Sequence, residues 1–139
     1  MFNYPVRISL RDGDAAGVLF FGRYFALAHD AYETFLNSKG LDIGHLIRSA
    51  GYLIPVVHAE SDYRRPLFVG EQALIHLRVA ELRSRTFTLD YEFHTAEGRL
   101  ACRMRTVHCA VNAETRRAAA LPEEIVHVLK DELEAEGNA

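Results

Sequence analysis

Residues 86–94 read Thr86-Phe87-Thr88-Leu89-Asp90-Tyr91-Glu92-Phe93-His94, with apolar and polar side chains in unbroken alternation. Successive side chains of a β-strand point to opposite faces, so Phe87, Leu89, Tyr91 and Phe93 share one face and the polar set the other. Four large apolar groups on one face need a cover, and a slip of one residue would turn them all to water. The stretch is therefore a strand of a sheet buried on one side and solvated on the other, which is the habit of antiparallel sheets.

The same period runs through residues 53–63, 73–82 and 99–112, and residues 6–10 supply a first strand. The links Arg83-Ser84-Arg85 and Thr95-Ala96-Glu97-Gly98 are long enough for hairpins and too short for parallel crossovers, so the last three strands pair antiparallel. Pro66 and Gly70 punctuate the link between the second and third strands. From about Phe21 the period changes: Phe21, Tyr24, Phe25, Ala28, Ala31, Tyr32 and Phe35 recur at three- and four-residue steps, an amphipathic helix that Lys39-Gly40 should end. Its aromatic stripe is the cover the sheet needs. Pro122 opens a short terminal helix of polar character. The expected fold is α+β: one domain over residues 1–139, in the order β-α-β-β-β-β and a short C-terminal helix, the antiparallel sheet wrapped around a central helix. Such a sheet leaves open edges and one exposed face, so the chain should form a homo-oligomer.

Composition bounds what this fold can do. At 139 residues, 49% apolar and 25% charged, with a formal net charge of −3, the chain can bury a full core and is neither disordered nor a nucleic-acid coat. The arginines at 99–105 alternate with apolar residues, as on one exposed strand face, and the net charge is negative, which argues against nucleic acid as a partner. The beginning, Met1-Phe2-Asn3-Tyr4-Pro5, resembles neither a secretory signal nor a membrane span, so a cytoplasmic location is expected. Cys102 and Cys109 lie seven residues apart in one strand, on opposite faces, and are expected to stay reduced thiols. No His and Cys cluster has zinc spacing, and Asp12, Asp14 and Ala16 offer too few oxygens for a calcium loop, so no metal is expected.

Chemistry concentrates between the first strand and the helix, in Asp12-Gly13-Asp14-Ala15-Ala16-Gly17-Val18-Leu19-Phe20-Phe21-Gly22-Arg23-Tyr24. An acid and small residues run directly into a helix start, whose first N–H groups lack internal partners and attract developing negative charge. One segment could thus supply a base and an oxyanion hole. Asp14 by itself is equally readable as a turn former or helix cap. Asp12 reads as a solvated loop residue or a hydrogen-bond partner of the turn.

The pattern Asp14-Ala15-Ala16-Gly17-Val18, then Phe20-Phe21-Gly22-Arg23-Tyr24, resembles the signature of the 4-hydroxybenzoyl-CoA thioesterase family of hotdog-fold proteins. The block Pro55-Val56-Val57-His58-Ala59-Glu60-Ser61-Asp62-Tyr63-Arg64-Arg65-Pro66-Leu67-Phe68-Val69-Gly70, with His29-Asp30-Ala31-Tyr32-Glu33, is similar to the 1,4-dihydroxy-2-naphthoyl-CoA hydrolases of that family. The likeness runs from about Val6 to Ile125 and departs at Gly13, where threonine is the expected residue. It implies the hotdog fold, a dimer of dimers with sites at subunit interfaces, and cofactor-free hydrolysis of an acyl-CoA, releasing 1,4-dihydroxy-2-naphthoate on the way to phylloquinone or menaquinone. Asp14 would be the catalytic acid, as nucleophile or general base, and the Phe21 main-chain N–H the oxyanion donor. Gly17, Tyr24, His29 and His58 would surround the acyl group. For His29 a surface or packed role, and for His58 a solvent-facing strand position, compete with this. Arg83 and Arg85 would hold the coenzyme A phosphates or be a solvated turn. A broader aromatic or short-chain thioesterase, or a noncatalytic acyl-CoA binding module, would share these motifs.

Overall fold

The computed structural model describes residues 1–49 and 51–137. Five strands form one antiparallel sheet in the order β1 (Phe2–Arg7), β4 (Gln72–Leu82), β5 (Thr86–His94), β6 (Leu100–Cys109), β3 (Val56–Tyr63). The alternation in residues 86–94 resolves as expected: Phe87, Leu89, Tyr91 and Phe93 are buried, and Asp90, Glu92 and His94 face outward. Helix α1 (Arg23–Ser38) lies across the apolar face, burying Tyr24, Leu27, Ala28, Ala31, Tyr32, Phe35 and Leu36. Ala28 and Ala31 carry little side chain, which brings the helix axis close to the sheet, while Tyr24 packs on Phe93 and Tyr32 on Phe87. The helix ends where the sequence places its end, with Lys39 at the cap and Gly40 at φ +83°, a left-handed position that favours glycine.

Several boundaries differ from the sequence reading. The helix begins two residues later than Phe21, and Phe21 is not in its apolar stripe: the side chain is 63% exposed, outside the first turn. Phe25 is half-buried against the core rather than within it. Helix α2 (Ile43–Ser49) went unforeseen, because seven residues make fewer than two turns and only Leu46 among its described side chains is buried, too little for a period to show. Pro55 cannot donate to a ladder and splits the expected strand 53–63 into β2 (Tyr52–Leu53) and β3. β2 pairs with β7 (Val111–Asn112), the detached end of the expected strand 99–112. The C-terminal helix α3 (Glu123–Gly137) follows Pro122 but is not short: its 15 residues bury Ile125, Val128, Leu129 and Glu132 beside β4. The buried carboxylate of Glu132 is held by Lys39 at 3.5 Å and the Met1 ammonium at 2.9 Å.

The outward face of the sheet is a lattice of paired charge. Directly opposed residues Glu60, Arg105, Asp90 and Arg78 alternate in sign across four strands, and Arg105 grips Asp90 through two contacts of 2.7 and 2.9 Å. Cys102 is buried on the core face and Cys109 lies on the other, both as free thiols. Of the two edge strands, β1 and β3, it is β3 that is exposed along almost its whole length, all but one of its eight residues lying open.

Candidate active site

Asp14 sits on a small closed hairpin rather than a loose loop. Its N–H donates to Val18 O at 2.9 Å, Gly17 N–H donates to Asp14 O at 3.0 Å, and Gly13 pairs with Leu19. The hairpin is fastened to the segment before β4, Leu19 N–H donating to Leu67 O at 2.7 Å and Val69 N–H to Gly17 O at 2.9 Å. Gly17 takes φ +79°, so both its peptide groups are spent on turn geometry that a side chain would strain. Within the hairpin, Asp14 Oδ1 accepts from Ala16 N–H at 2.8 Å and Val18 N–H at 3.4 Å. The turn-forming role thus occupies one oxygen of the carboxylate. Oδ1 is fixed by the loop, while Oδ2 accepts from no donor among the described residues, and the side chain is exposed.

Asp14 takes the turn-forming role expected of it, and of the two expectations for Asp12 the structure bears out the hydrogen-bond partner of the turn. Asp12 is not a solvated loop residue: it is only 8% exposed and lies 3.6 Å from Arg23 Nε. Its carbonyl accepts Phe20 N–H at 2.9 Å, which closes the base of the hairpin and delivers the chain to the helix start.

At that start, Arg23 N–H donates to Phe20 O at 2.9 Å, leaving the Phe21 and Gly22 N–H groups without an acceptor among the described residues. The Phe21 carbonyl is taken by the Tyr63 hydroxyl, which donates to it at 2.9 Å. One continuous segment thus presents an oriented carboxylate and unpaired amides. That is the pair a carbonyl addition requires, an attacking oxygen or base and a donor for the oxyanion.

The other candidates are distributed along α1 and the sheet. Tyr24 lies 3% exposed beneath the hairpin, its ring between Phe93 and Tyr63, and burial pushes its phenol up to about 12. His29 is exposed on the side of α1, 5.6 Å from the Tyr32 ring. His58 lies on exposed β3, 3.7 Å from Glu60. Arg83 pairs with Glu81 in the β4–β5 turn beside Arg85. Within one chain the structure joins Asp14, Gly17, Phe21 and Tyr24 but not the arginines. The turn lies at the Phe87 end of β5 and the hairpin at the Phe93 end, roughly 20 Å apart at 3.4 Å per strand residue. A cavity of about 830 Å³ lies on the charged outer face, lined by residues such as Glu60, Asp62, Arg78 and Arg105, and none of the Asp14 segment borders it. Among the described residues, an unpaired carboxylate oxygen and unpaired amides lie on one segment, and the charged-face cavity lies apart from them.

Sequence reasoning overlooked two polar residues. Tyr63 stood only as one letter of a motif, and strand period cannot announce that its hydroxyl reaches the helix start. His108, on β6, is fully buried: Nε2 lies 2.9 Å from Thr106 Oγ1, the ring stacks on Phe87 at 4.6 Å, and Nδ1 has no partner among the described residues. Burial, helped by the nearby His29, lowers its pKa to about 3.

The hotdog arrangement and this segment define a class, and the chain belongs to the thioesterase-like superfamily, whose family model matches residues 8–129. Among its relatives, the 1,4-dihydroxy-2-naphthoyl-CoA hydrolase of Rippkaea orientalis is 35% identical over 132 residues, covering 94% of this chain and 96% of that protein. The hydrolase of the same name from Synechocystis is 32% identical over 88% of this chain and 89% of its own length. The crystal structure of a 1,4-dihydroxy-2-naphthoyl-CoA thioesterase from Synechocystis superposes with a TM-score of 0.89 at 31% identity, covering 94% of this chain and 96% of that one.

Proposed function

We propose that this protein is an acyl-CoA thioesterase that hydrolyses 1,4-dihydroxy-2-naphthoyl-CoA to 1,4-dihydroxy-2-naphthoate and coenzyme A, in the route to phylloquinone or menaquinone. The observation that carries the mechanism is the Asp14 carboxylate, one oxygen tied into its hairpin and the other uncommitted, on the segment that bears the unpaired Phe21 N–H. Oδ2 attacks the thioester carbonyl, forming a mixed anhydride and expelling the coenzyme A thiolate, or takes a proton from a water that attacks instead. The Phe21 N–H receives the oxyanion in both routes. Hydrolysis in H₂¹⁸O separates them, because only the anhydride route can leave label in the Asp14 carboxylate.

A second copy supplies the opposite wall of the acyl pocket. β3 presents eight residues of unpaired strand edge with Val57 59% exposed, and Phe21, Tyr63 and Phe68 continue the apolar surface at its end. Antiparallel pairing of two β3 edges lays the residue-56 end of one chain beside the residue-63 end of the other. That brings the partner's His58 and the end of its sheet bearing Arg83 and Arg85 toward this chain's Asp14, groups that a single chain holds far apart. Two such dimers form the tetramer. The enzyme works in the cytoplasm, where its two thiols stay reduced.

The test is Asp14→Asn assayed by thiol release. Turnover should fall about 10²- to 10⁴-fold with an unchanged melting temperature, and wild-type-like turnover would remove Asp14 from the mechanism. Comparing naphthoyl-CoA with benzoyl-CoA and short aliphatic esters tests the substrate, since equal kcat/KM across the set would leave only a broad thioesterase.

A further inference from the structure

The Tyr63 hydroxyl is spent in an unusual place. It donates at 2.9 Å to the Phe21 carbonyl, the last carbonyl before the N-cap Gly22 of α1, and its ring lies edge-on to Tyr24 at 4.9 Å and to Phe21 at 6.5 Å. A surface carbonyl can be solvated by water, so this bond adds little stability, and Tyr63 itself is 41% exposed. Its geometric effect is larger. The peptide unit is planar and trans, so fixing the Phe21 carbonyl also fixes the Gly22 N–H, which must point away from Tyr63. The preceding peptide, which carries the Phe21 N–H, is fixed separately through Phe20 O and Arg23 N–H. Two consecutive amides beside the Asp14 hairpin are each held by one hydrogen bond, and one of those bonds comes from a different element of the fold.

We infer that Tyr63 is a positioning residue for thioester hydrolysis: through its hydrogen bond to the Phe21 carbonyl it fixes the peptide on the C-terminal side of the Phe21 Cα, and so limits how far the oxyanion-receiving Phe21 N–H on the other side of that Cα can turn. This rests on the reading of the Asp14 segment as a thioesterase site. Tyr63 touches no reacting atom. Because an oxyanion develops only in the transition state, a loosened peptide lowers kcat while leaving ground-state binding alone. The same tyrosine sits at the end of β3 that a second copy would abut, so pairing of the two edges would also shield this bond from water and strengthen it.

The experiment compares wild type, Tyr63→Phe and Asp14→Asn with 1,4-dihydroxy-2-naphthoyl-CoA, and measures binding of the thioether in which a methylene replaces the carbonyl. Tyr63→Phe keeps the ring and removes only the donor. Expected are a kcat about 10- to 100-fold lower, unchanged KM, wild-type affinity for the thioether, and the melting temperature, oligomeric state and pH profile of wild type. Wild-type kcat in Tyr63→Phe, while Asp14→Asn is inactive, overturns the inference and leaves the thioesterase reading standing. A kcat loss accompanied by an equal loss of thioether affinity, or by dissociation or a lower melting temperature, also overturns it, as an ordinary structural contact would behave that way. A wild-type enzyme that hydrolyses no acyl-CoA defeats the underlying reading, and the inference with it.

Discussion

Gly13 shows how one residue departs from a motif without disturbing its chemistry. A Cβ there would lie 2.5 Å from Val69 Cγ2, so the space that the family's threonine would occupy is already filled by valine. The backbone, at φ −87° and ψ 162°, would accept any residue, which makes the constraint one of packing and not of conformation. Gly13→Thr should destabilise the protein by about 1–3 kcal/mol as overpacking. Val69→Ala in the same chain should recover most of the loss in urea unfolding, and additive losses in the double variant would refute the pairing. Asp14 was legible as a candidate because acid, glycine and helix start are adjacent in sequence. That Asp12 is the buried acid and Asp14 the exposed one was not, because burial depends on Arg23 and on the fold of the hairpin.

The elements divide by how much of their environment is local. β5 was readable in its bounds and its apolar face, since its alternation is uninterrupted and its neighbours on both sides are hairpin-connected, though Thr88 of its polar set is buried. α2, β2 and β7 were not, because each is too short for a period and is held by contacts from elsewhere in the chain. β6 carries a consequence that its pattern conceals. His108 titrates at about 3 in the folded protein against 6.5 ordinarily, so between those values the unfolded chain binds the extra proton. Its contribution is intact above pH 6.5 and is lost as pH falls, at about 1.4 kcal/mol per unit. Urea midpoints should therefore drop between pH 7 and pH 5, and His108→Phe should flatten that limb. An unaltered slope in the variant would show that other groups set the acid limit.

At the scale of the molecule, β3 is the edge on which the proposed assembly rests. The other strands of the main sheet have a helix over them or a neighbour on each side, whereas β3 is open on its edge and on both faces. Val57→Lys places a charge in the exposed apolar edge without touching the core, so the variant should keep its melting temperature within a few degrees. If two β3 edges pair to complete the acyl pocket, as proposed, it should sediment as a monomer and lose most of its thioesterase activity. Full activity in a monomeric variant would show that one chain suffices. No helix among the described residues is long and apolar enough to cross a membrane.

By itself the sequence determined the antiparallel sheet, the covering helix with its glycine stop, and the candidate acid, because each is written in residues near one another along the chain. Periodicity records which face of an element is apolar, and turn residues record where it stops. Only the tertiary structure decided that Asp14 divides its two oxygens between turn and solvent, that Tyr63 reaches the Phe21 carbonyl, and that His108 is sealed in the core. The Tyr63 bond joins residues 42 positions apart, the burial of His108 depends on the helix laid over its strand, and the division of Asp14 depends on how its hairpin closes, all of which are set by how helix, sheet and hairpin pack together and not by any periodic pattern.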